Sequence, residues 1–357
     1  MKGKEIRQPQ GRSIGCPFCT VIPSYMLRHL AQHGPARLRS LALRSLEQSE
    51  HLRGQRAMLA NLGAVALATP TGTKRRTIYD AAHGTVLPGQ LVRGEGDPKG
   101  NDPGANEAYD YSGATYDFYR AVFGRNSIDD RGLRLDSSVH YSTKYDNAFW
   151  NGLQMVYGDG DGVIFQRFTR CLEVVGHELT HGVTQYEAGL EYQGQPGALN
   201  ESFSDVFGSL VKQWKLKQTA ARADWLIGAQ LLARGVKGKA LRSMAAPGTA
   251  YDDPNLGKDP QPAHMKDFYK GSDDNGGVHI NSGIPNHAFY LVATAFGGNA
   301  WNHAGKIWYD TLCNQLRPRA SFKDAANATV TSAGKLFGAR SAESAAVKSA
   351  WKEVGVL

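Results

Sequence analysis

The stretch His177-Glu178-Leu179-Thr180-His181 places two imidazoles four residues apart, with a carboxylate beside the first. On an α-helix, residues i and i+4 share a face, so both imidazoles can bind one metal ion. This is the H-E-x-x-H pattern of zinc metalloproteases, in which Glu178 is the candidate general base. In a chain of 357 residues with 11 histidines, the pattern arises by chance about once in a hundred sequences. Further residues must therefore support it.

The surroundings of this motif supply that support. Apolar residues recur at helical spacing between residues 172 and 183, which predicts a buried helix facing a cleft. Zinc needs a third protein ligand, and the stretch 200–205, Asn-Glu-Ser-Phe-Ser-Asp, predicts a second helix with acidic residues in its first turn. Glu201 is the predicted third ligand. Asp205, one turn later, is placed to accept the spare N–H of a ligand histidine.

These two motifs, in this order, resemble the thermolysin family of zinc endopeptidases. Further stretches that resemble the family are 147–152, 157–162, 241–244 and 274–283, and the resemblance runs from about residue 76 to residue 357. It implies an α+β fold of two domains, the thermolysin-like zincin fold. The N-terminal domain would be mainly β, the zinc-binding helix central, and the C-terminal domain mainly α.

The resemblance also implies site residues beyond the zinc ligands. His279 and Tyr192 would stabilise the oxyanion that forms during attack, and Asp274 would orient His279. The implied substrate-binding residues are Asn147 and Ala148 for the substrate backbone, Arg242 for the carbonyl on the leaving-group side, and Phe165, Phe168, Val174, Ile227, Leu231 and Leu241 for the pocket after the scissile bond. Because this pocket is wholly apolar, we expect a broad preference for hydrophobic side chains, with cleavage on their amino side.

The sequence departs from the family at its paired calcium site. Two acidic residues, Glu173 and Asp224, remain. The other positions hold Lys212, Leu226, Ala229 and Gln230. An ammonium group cannot ligate calcium and repels it, so we predict that this double site is lost. One catalytic Zn²⁺ is the expected cofactor, and Ca²⁺ elsewhere stays open; Asp159 and Asp161 lie between glycines and favour turn chemistry over calcium binding.

The charge distribution marks the first segment of the chain. Residues 1–69 carry ten Lys or Arg against three Glu, whereas residues 70–357 carry 31 basic and 30 acidic residues. Leucines at helical spacing between residues 25 and 62 predict amphipathic helices docked on another surface, and residues 64–76 predict a cleavable linker. We interpret 1–69 as a short helical propeptide that inhibits the enzyme intramolecularly. Residues 70–190 would form the β-rich catalytic domain with the motif helix, and 191–357 the helical domain.

The segment 16–27, Cys-Pro-Phe-Cys-Thr-Val-Ile-Pro-Ser-Tyr-Met-Leu, is similar to the short propeptide of the protealysin subgroup of this family. We expect it to lie along the strand at residues 147–148 without presenting a cleavable bond, because Pro23 lacks an N–H and resists the geometry of attack. The Cys16 and Cys19 pair is compatible with redox activity, metal binding, a thiolate on the catalytic zinc, or an inert turn. Cys171 and Cys313 have apolar neighbours and are predicted core thiols.

A coarse reading of periodicity gives the remaining elements. Residues 76–168 predict a mainly β region with one helix at 115–123. Beyond residue 201, helices are predicted at 321–337, where Ser321 and Asp324 form a capping pair, and at 342–354. The stretch 250–277 predicts a long irregular loop lining the site.

Several classes of partner and location are disfavoured. No run of 18 apolar residues predicts a membrane span, and the nearly neutral body disfavours nucleic acid. The resemblance implies peptides or proteins as substrates. Residues 1–15 are basic and lack the apolar core of a secretory signal, so we expect secretion by another route, with cytoplasmic residence as the alternative. The natural substrate, the processing site within about 61–76 and the oligomeric state stay open.

Two alternative functions come from other classes. A zinc aminopeptidase shares the motif, but it would need an acidic Gly-x-Met-Glu-Asn element, which this sequence lacks. A non-catalytic zinc protein with a basic N-terminal binding segment is disfavoured because Glu178, Tyr192 and His279 together serve no structural purpose.

Overall fold

The computed structural model of the chain describes residues 19–59 and 73–357. Cys16 and most of the predicted linker lie outside these ranges. The described residues confirm the predicted α+β fold, with a sheet-rich N-terminal domain, the motif helix, and a helical C-terminal domain. No helix in these ranges is both long and apolar enough to cross a membrane.

Strands are concentrated before the motif and helices after it. The strands are β1 (Cys19–Thr20), β2 (Arg76–Asp80), β3 (Gln90–Arg93), β4 (Leu135–Val139), β5 (Ala148–Trp150), β6 (Met155–Tyr157), β7 (Leu226–Ile227), β8 (Arg242–Ser243), β9 (Asp252–Asp253) and β10 (Gly257–Lys258). The helices are α1 (Ser24–His33), α2 (Ala36–Leu59), α3 (Pro103–Phe123), α4 (Leu172–Tyr186), α5 (Gly194–Leu216), α6 (Asp273–Asn281), α7 (Gly283–Phe296), α8 (Ala304–Asn314), α9 (Phe322–Phe337) and α10 (Ala342–Glu353), with short 3-10 helices at Phe168–Arg170 and Met265–Asp267.

The main sheet has the strand order β1-β5-β6-β4-β2-β3. Strands β4 and β2 pair in parallel, as do β4 and β6, whereas β5 pairs antiparallel with β6. Without β1, strand β5 would be the edge of this sheet. An edge strand offers free backbone groups to an added chain, and here the N-terminal segment takes that place.

Helices α4 and α5 form the centre of the molecule and position the motif. Nearly every residue of α4 is buried. The two helices approach closely at Gly176 and Gly208, where a Cβ atom added to Gly208 would lie 2.4 Å from the Glu173 carbonyl oxygen. This close approach needs glycine and brings the side chains of the two helices to a common site.

The N-terminal segment forms a helical hairpin, α1 and α2, in which α2 packs on the sheet-rich domain and α1 contacts the helical domain near α6. The break between the two helices falls at Gly34 and Pro35. Leu52 of α2 is buried in a cluster with Tyr141 and Phe149. Gln48 of α2 donates a 2.6 Å hydrogen bond to a loop of the same domain.

The structure corrects two predicted helix starts. Helix α3 begins at Pro103 rather than at residue 115, because Asp102 caps it and Pro103 suits a first helical position. Helix α5 begins at Gly194, so Glu201 lies about two turns inside rather than in the first turn. Its Gln-Pro-Gly start lacks a side-chain cap and resembles a loop in sequence. The α9 capping box of Ser321 and Asp324 is present as predicted.

The stretch 250–277 is less irregular than predicted. It contains the β9–β10 hairpin and the 3-10 helix Met265–Asp267. It also reaches the start of α6, which carries a site histidine.

Candidate active site

The side chains of His177, His181 and Glu201 meet in the interior between α4 and α5. The Nε2 atoms of the two imidazoles are 3.0 Å apart. The carboxylate oxygens of Glu201 lie 3.4 Å from His177 Nε2 and 3.5 Å from His181 Nε2. A tetrahedral zinc ion about 2.0–2.1 Å from each ligand separates its ligand atoms by about 3.3 Å. These three side chains therefore fit a zinc ion.

Hydrogen bonds fix the other nitrogen of each imidazole. His177 Nδ1 lies 2.8 Å from Asp205 Oδ1, as the sequence predicted. His181 Nδ1 lies 2.8 Å from Asn200 Oδ1 and 3.0 Å from Ser204 Oγ. An Nδ1–H donated to these oxygens leaves each Nε2 lone pair for a metal. The sequence analysis missed Asn200 and Ser204, although both lie on the helix that carries the third ligand.

The electrostatics of this cluster favour a cation. Burial lowers the pKa of His181 to about 3. Burial also opposes charging of His177, but hydrogen bonds to Asp205 and Glu201 outweigh it and raise its pKa to about 9. Burial works against ionising Glu201, yet the charges of His279 and His181 hold its pKa well below the usual range. Its Oε2 has no hydrogen-bond partner in the described part of the chain. A dication would satisfy this set of donors.

Glu178 is buried beside the cluster and faces the edge strand. The backbone N–H of Trp150 donates a 3.1 Å hydrogen bond to Glu178 Oε2. Its Oε1 is buried without a partner among the described residues. Burial raises the pKa of Glu178 to about 8. The positive charge of a bound dication would lower this pKa towards 7. Such a carboxylate is suited to exchange protons near pH 7.

His279, Tyr192 and Asp274 come together on the opposite side of the cluster. His279 Nδ1 lies 2.6 Å from Asp274 Oδ1, and its backbone N–H donates to Asp274 Oδ2 at 2.7 Å. The Tyr192 hydroxyl lies 3.2 Å from His279 Nε2 and donates a hydrogen bond to Glu201. The carboxylate therefore holds one histidine nitrogen and leaves the other facing the cleft.

A left-handed turn places this histidine. Four successive residues, from Asp274 to Gly277, have φ values of 55°, 53°, 76° and 79°. Asp, Asn and Gly are the residue types that adopt this conformation most readily, which explains the local sequence Asp-Asn-Gly-Gly. The sequence analysis missed Gln261, which donates a 2.8 Å hydrogen bond to the His279 carbonyl.

Arg242 is buried and forms a bidentate ion pair with Asp205 of α5. Its Nε and Nη2 atoms donate to the two oxygens of Asp205, each at 2.8 Å. Asn286 donates a further 2.9 Å hydrogen bond to Asp205 Oδ2. Burial opposes ionisation of Asp205, but the Arg242 charge holds its pKa below the usual range. Asp205 thus links a metal-facing histidine to an arginine in the cleft, a link that the sequence did not reveal.

The predicted pocket residues are buried and belong to one apolar cluster. They are Phe165, Phe168, Val174, Ile227, Leu231 and Leu241. Val21 of the N-terminal segment belongs to the same cluster and is fully buried. The structure thus buries both the predicted pocket residues and an apolar side chain of the segment in the apolar core.

The N-terminal segment occupies the cleft through its backbone. Val21 N–H donates to Ala148 O at 3.2 Å. Asn147 brackets Ile22, accepting from its N–H at 2.9 Å and donating to its carbonyl at 3.1 Å. Arg242 donates to Val21 O at 3.2 Å. Three of the residues predicted to bind substrate, Asn147, Ala148 and Arg242, thus contact the chain's own N-terminal segment.

Cys19 lies at the edge of the metal cluster. Its Sγ and one ligand atom each of His181 and Glu201 lie within 4.8 Å of one another. Cys19 is disulfide-bonded, whereas Cys171 and Cys313 are free. Zinc binds the thiolate form of cysteine, which a disulfide does not offer. Cys16 lies outside the described residues.

At the position where the resemblance implies the family's paired calcium site, Lys212 lies between two carboxylates. Lys212 Nζ lies 2.8 Å from Asp224 Oδ2 and 3.5 Å from Glu173 Oε1.

Asp161 Oδ1 accepts hydrogen bonds from three backbone N–H groups of its own turn, at 2.7, 2.7 and 3.1 Å. Its geometry is that of a turn residue.

Comparison with known proteins agrees with this geometry. Residues 63–185 match the thermolysin metallopeptidase catalytic domain, and residues 188–356 match the thermolysin metallopeptidase alpha-helical domain. Fold, site and match together define a metalloendopeptidase. The chain belongs to the thermolysin family.

Similar proteins include two bacterial proteases and one solved precursor structure. An extracellular metalloprotease of Pectobacterium carotovorum subsp. carotovorum is 52% identical over 95% of this chain and 97% of its own length. Protease PrtS of Photorhabdus sp. (strain Az29) is 55% identical over 80% of this chain and 77% of its own length. The structure of the precursor of protealysin, a metalloproteinase from Serratia proteamaculans, superposes with a TM-score of 0.87 at 56% identity, covering 95% of this chain and all of that one. The similarity to a precursor supports the precursor form of this chain.

Proposed function

We propose that this thermolysin-family metalloprotease is a zinc endopeptidase made as a latent precursor, with one catalytic zinc held by His177, His181 and Glu201. The family implies a zinc cofactor. The observation that carries the assignment is the spacing of the three ligand atoms, 3.0, 3.4 and 3.5 Å, beside a buried carboxylate that is not part of the set. Casein hydrolysis by the purified protein, together with its zinc content, tests the proposal.

The proposed mechanism divides the chemistry between the metal and the protein. Bound zinc would lower the pKa of a water molecule towards 7 and polarise the scissile carbonyl. Glu178 accepts the proton of the attacking water at its carboxylate and delivers it to the leaving amine. His279 Nε2 and the Tyr192 hydroxyl donate to the oxygen that gains charge in the transition state. Asp274 holds His279 in the orientation that this requires.

Substrate binding follows from the contacts of the N-terminal segment. Asn147 and Ala148 would hold a substrate backbone as a strand added to β5. Arg242, kept in place by Asp205, would bind the carbonyl of the residue after the scissile bond. The apolar pocket favours a hydrophobic side chain at that position. The preference is broad, because one methylene in such a pocket changes the free energy by about 1–3 kcal/mol.

Residues 1–69 act as the inhibitory propeptide in this proposal, and residues 70–190 and 191–357 form the two parts of the mature enzyme. Four substrate-binding or catalytic residues contact the segment, which supports intramolecular inhibition. Relatives bear the name extracellular metalloprotease, and we infer that this enzyme is also secreted. Cleavage in the linker by the enzyme itself would release activity.

We also propose that the family's double calcium site is lost. Lys212 pairs with both Glu173 and Asp224 and offsets one of their two negative charges, and its ammonium would repel an external dication. An aminopeptidase is disfavoured by the cleft, since chain continues on both sides of the carbonyl at His279. Comparing casein with an aminoacyl-nitroanilide separates these two activities. A salt-dependent DNA shift assay would detect the non-catalytic alternative.

A further inference from the structure

Three contacts determine which peptide bond of the N-terminal segment faces the catalytic groups. His279 Nε2 lies 2.9 Å from the carbonyl oxygen of Thr20. Arg242 donates to the next carbonyl, that of Val21, and the Val21 N–H donates to Ala148 O, both at 3.2 Å. In the proposed mechanism the carbonyl at His279 is the scissile one, and the carbonyl at Arg242 belongs to the residue that follows. The Thr20–Val21 bond therefore occupies the scissile position.

The segment also has the direction and side chain of a substrate. Strand β1 runs antiparallel to β5, with Thr20 opposite Phe149. Val21, the residue after this bond, is apolar and fully buried. Pro23 lies two residues beyond Val21, so the missing N–H is not at the bond that faces His279. Pro23 therefore does not protect the bond that faces His279, so its position gives no support to the expectation that this segment presents no cleavable bond.

We propose that the active site hydrolyses the Thr20–Val21 bond of its own chain. The step consumes one water molecule and breaks the amide C–N bond. Its products are a carboxylate at Thr20 and an amino group at Val21. Glu178 transfers a proton from the attacking water to the leaving nitrogen of Val21. This inference rests on the proposed function and identifies the first substrate of the site as its own inhibitory segment.

The cut alone leaves most of the inhibitory segment in place. Helix α1 keeps Met26, Leu27 and Leu30 buried against the body. Asn147 still brackets Ile22 through two hydrogen bonds. The fragment that begins at Val21 therefore continues to fill the leaving-group side of the cleft. Latency lasts until the linker is also cut and the fragment dissociates.

The test follows the N-termini of the purified full chain over time by intact mass and terminal sequencing. We expect a fragment ending at Thr20 and a new terminus at Val21, with a rate that does not depend on protein concentration. The Val21→Asp variant should lose this cut at least about tenfold, because a carboxylate is costly in an apolar pocket. Leu43→Asp is the matched control, since Leu43 lies on α2 and is 57% exposed, and it should keep the cut.

A second arm separates self-cleavage from cleavage by another molecule. Full-length Glu178→Gln protein is mixed with a trace of active enzyme. We expect cleavage in its linker but not at Thr20–Val21, because that bond is buried in the inactive chain's own cleft. Equal cleavage of this bond in the mixture would overturn the inference.

The two proposals fail in different ways. If the wild-type protein hydrolyses casein and cuts its linker but never produces a Val21 terminus, the inference is wrong and the proposed function stands. If no casein is hydrolysed by zinc-loaded, linker-cut protein, the proposed function itself is wrong.

Discussion

Helices α4 and α5 take part in two clusters of acidic side chains, and the negative charge of each cluster is balanced in a different way. At one end Lys212 of α5 provides an ammonium 2.8 Å from Asp224 and 3.5 Å from Glu173. In the middle, two imidazoles and Glu201 leave a carboxylate oxygen without a hydrogen-bond partner among the described residues. The first cluster contains its own cation. The second is built to receive one from outside.

The difference shows that one pair of helices can surround a lysine at one cluster and two histidines at another. The clusters are separated by the close approach of Gly176 and Gly208, which fixes the helix spacing for both. A third cluster, in the sheet-rich domain, uses a titratable cation: His140 lies 2.9 Å from Asp159 and 3.0 Å from Asp102. The three clusters should therefore respond differently to chelators, to calcium and to pH.

The largest expected effect separates catalysis from metal binding within the central cluster. Glu178→Gln should lower kcat/KM for casein or a peptide by about 10²–10⁴-fold, because it removes the general base. Zinc should stay at one ion per chain, because the three ligands are untouched. Assays with metal analysis check both values. Glu191→Gln, a change in a partly exposed ion pair with Arg319, is the control; normal proteolysis in Glu178→Gln protein would disprove the assigned role.

The next effect concerns His279, which lies beside the proposed zinc site. His279→Ala should lower kcat and kcat/KM together by about 10²–10³-fold, because its hydrogen bond strengthens in the transition state. KM should change little. Steady-state kinetics on the mature enzyme provide the measurement. A rise in KM with unchanged kcat would assign His279 to substrate binding instead.

Zinc affinity should depend on the acid behind the first histidine. Asp205→Asn should weaken zinc binding by about 10–100-fold, since it removes the charge that orients and polarises His177. Competition with a chelator of known affinity measures the change. Asp224→Asn, in the cluster that contains Lys212, should leave zinc affinity unchanged. Equal losses in both variants would mean that the substitutions act through stability.

The zinc ligands were predictable because their geometry is local. The spacing of His177 and His181 places both rings on one helical face whatever surrounds them. The start of α5 was not predictable, because Pro196 and Gly197 resemble a loop, and tertiary packing keeps them helical. The left-handed turn at residues 274–277 consists of Asp, Asn and Gly, the residue types that adopt this conformation most readily.

The partners of the site residues depend on long-range packing. Asn286 reaches Asp205 across 81 positions, and no local pattern announces this contact. The register of Thr20 against His279, across 259 positions, depends on how the α1–α2 hairpin docks. Sequence could therefore predict that this segment enters the cleft, but not which bond it presents.

Calcium should affect stability much less than zinc does. Lys212 already pairs with Glu173 and Asp224. Millimolar calcium or a calcium-selective chelator should therefore shift Tm by less than about 2 °C, because little calcium binds to the folded protein. Removal of zinc should lower Tm more. Thermal melts with metal analysis separate the two ions. A large calcium-specific loss of Tm with zinc retained would show that a calcium site persists.

The smallest effect is the pH dependence of the third cluster. The hydrogen bond to Asp159, opposed by burial and helped by Asp102, raises the pKa of His140 to about 9. Its ordinary value is about 6.5, so the stabilisation is complete below about pH 6.5 and disappears as pH rises through 9. His140→Gln should cost about 1 kcal/mol at pH 6, after allowance for solvent screening, and little at pH 10. Denaturant unfolding at both pH values checks this; a constant difference would exclude the charged pair.

The central claim is that His177, His181 and Glu201 hold one catalytic zinc ion beside Glu178. Anomalous X-ray scattering recorded above and below the zinc absorption edge, on crystals of the full chain, tests it most directly. The account predicts a single strong peak about 2.0–2.2 Å from both Nε2 atoms and a Glu201 oxygen, and no peak at Lys212. A zinc peak elsewhere, or one that lacks Glu201 as a ligand, would contradict the account.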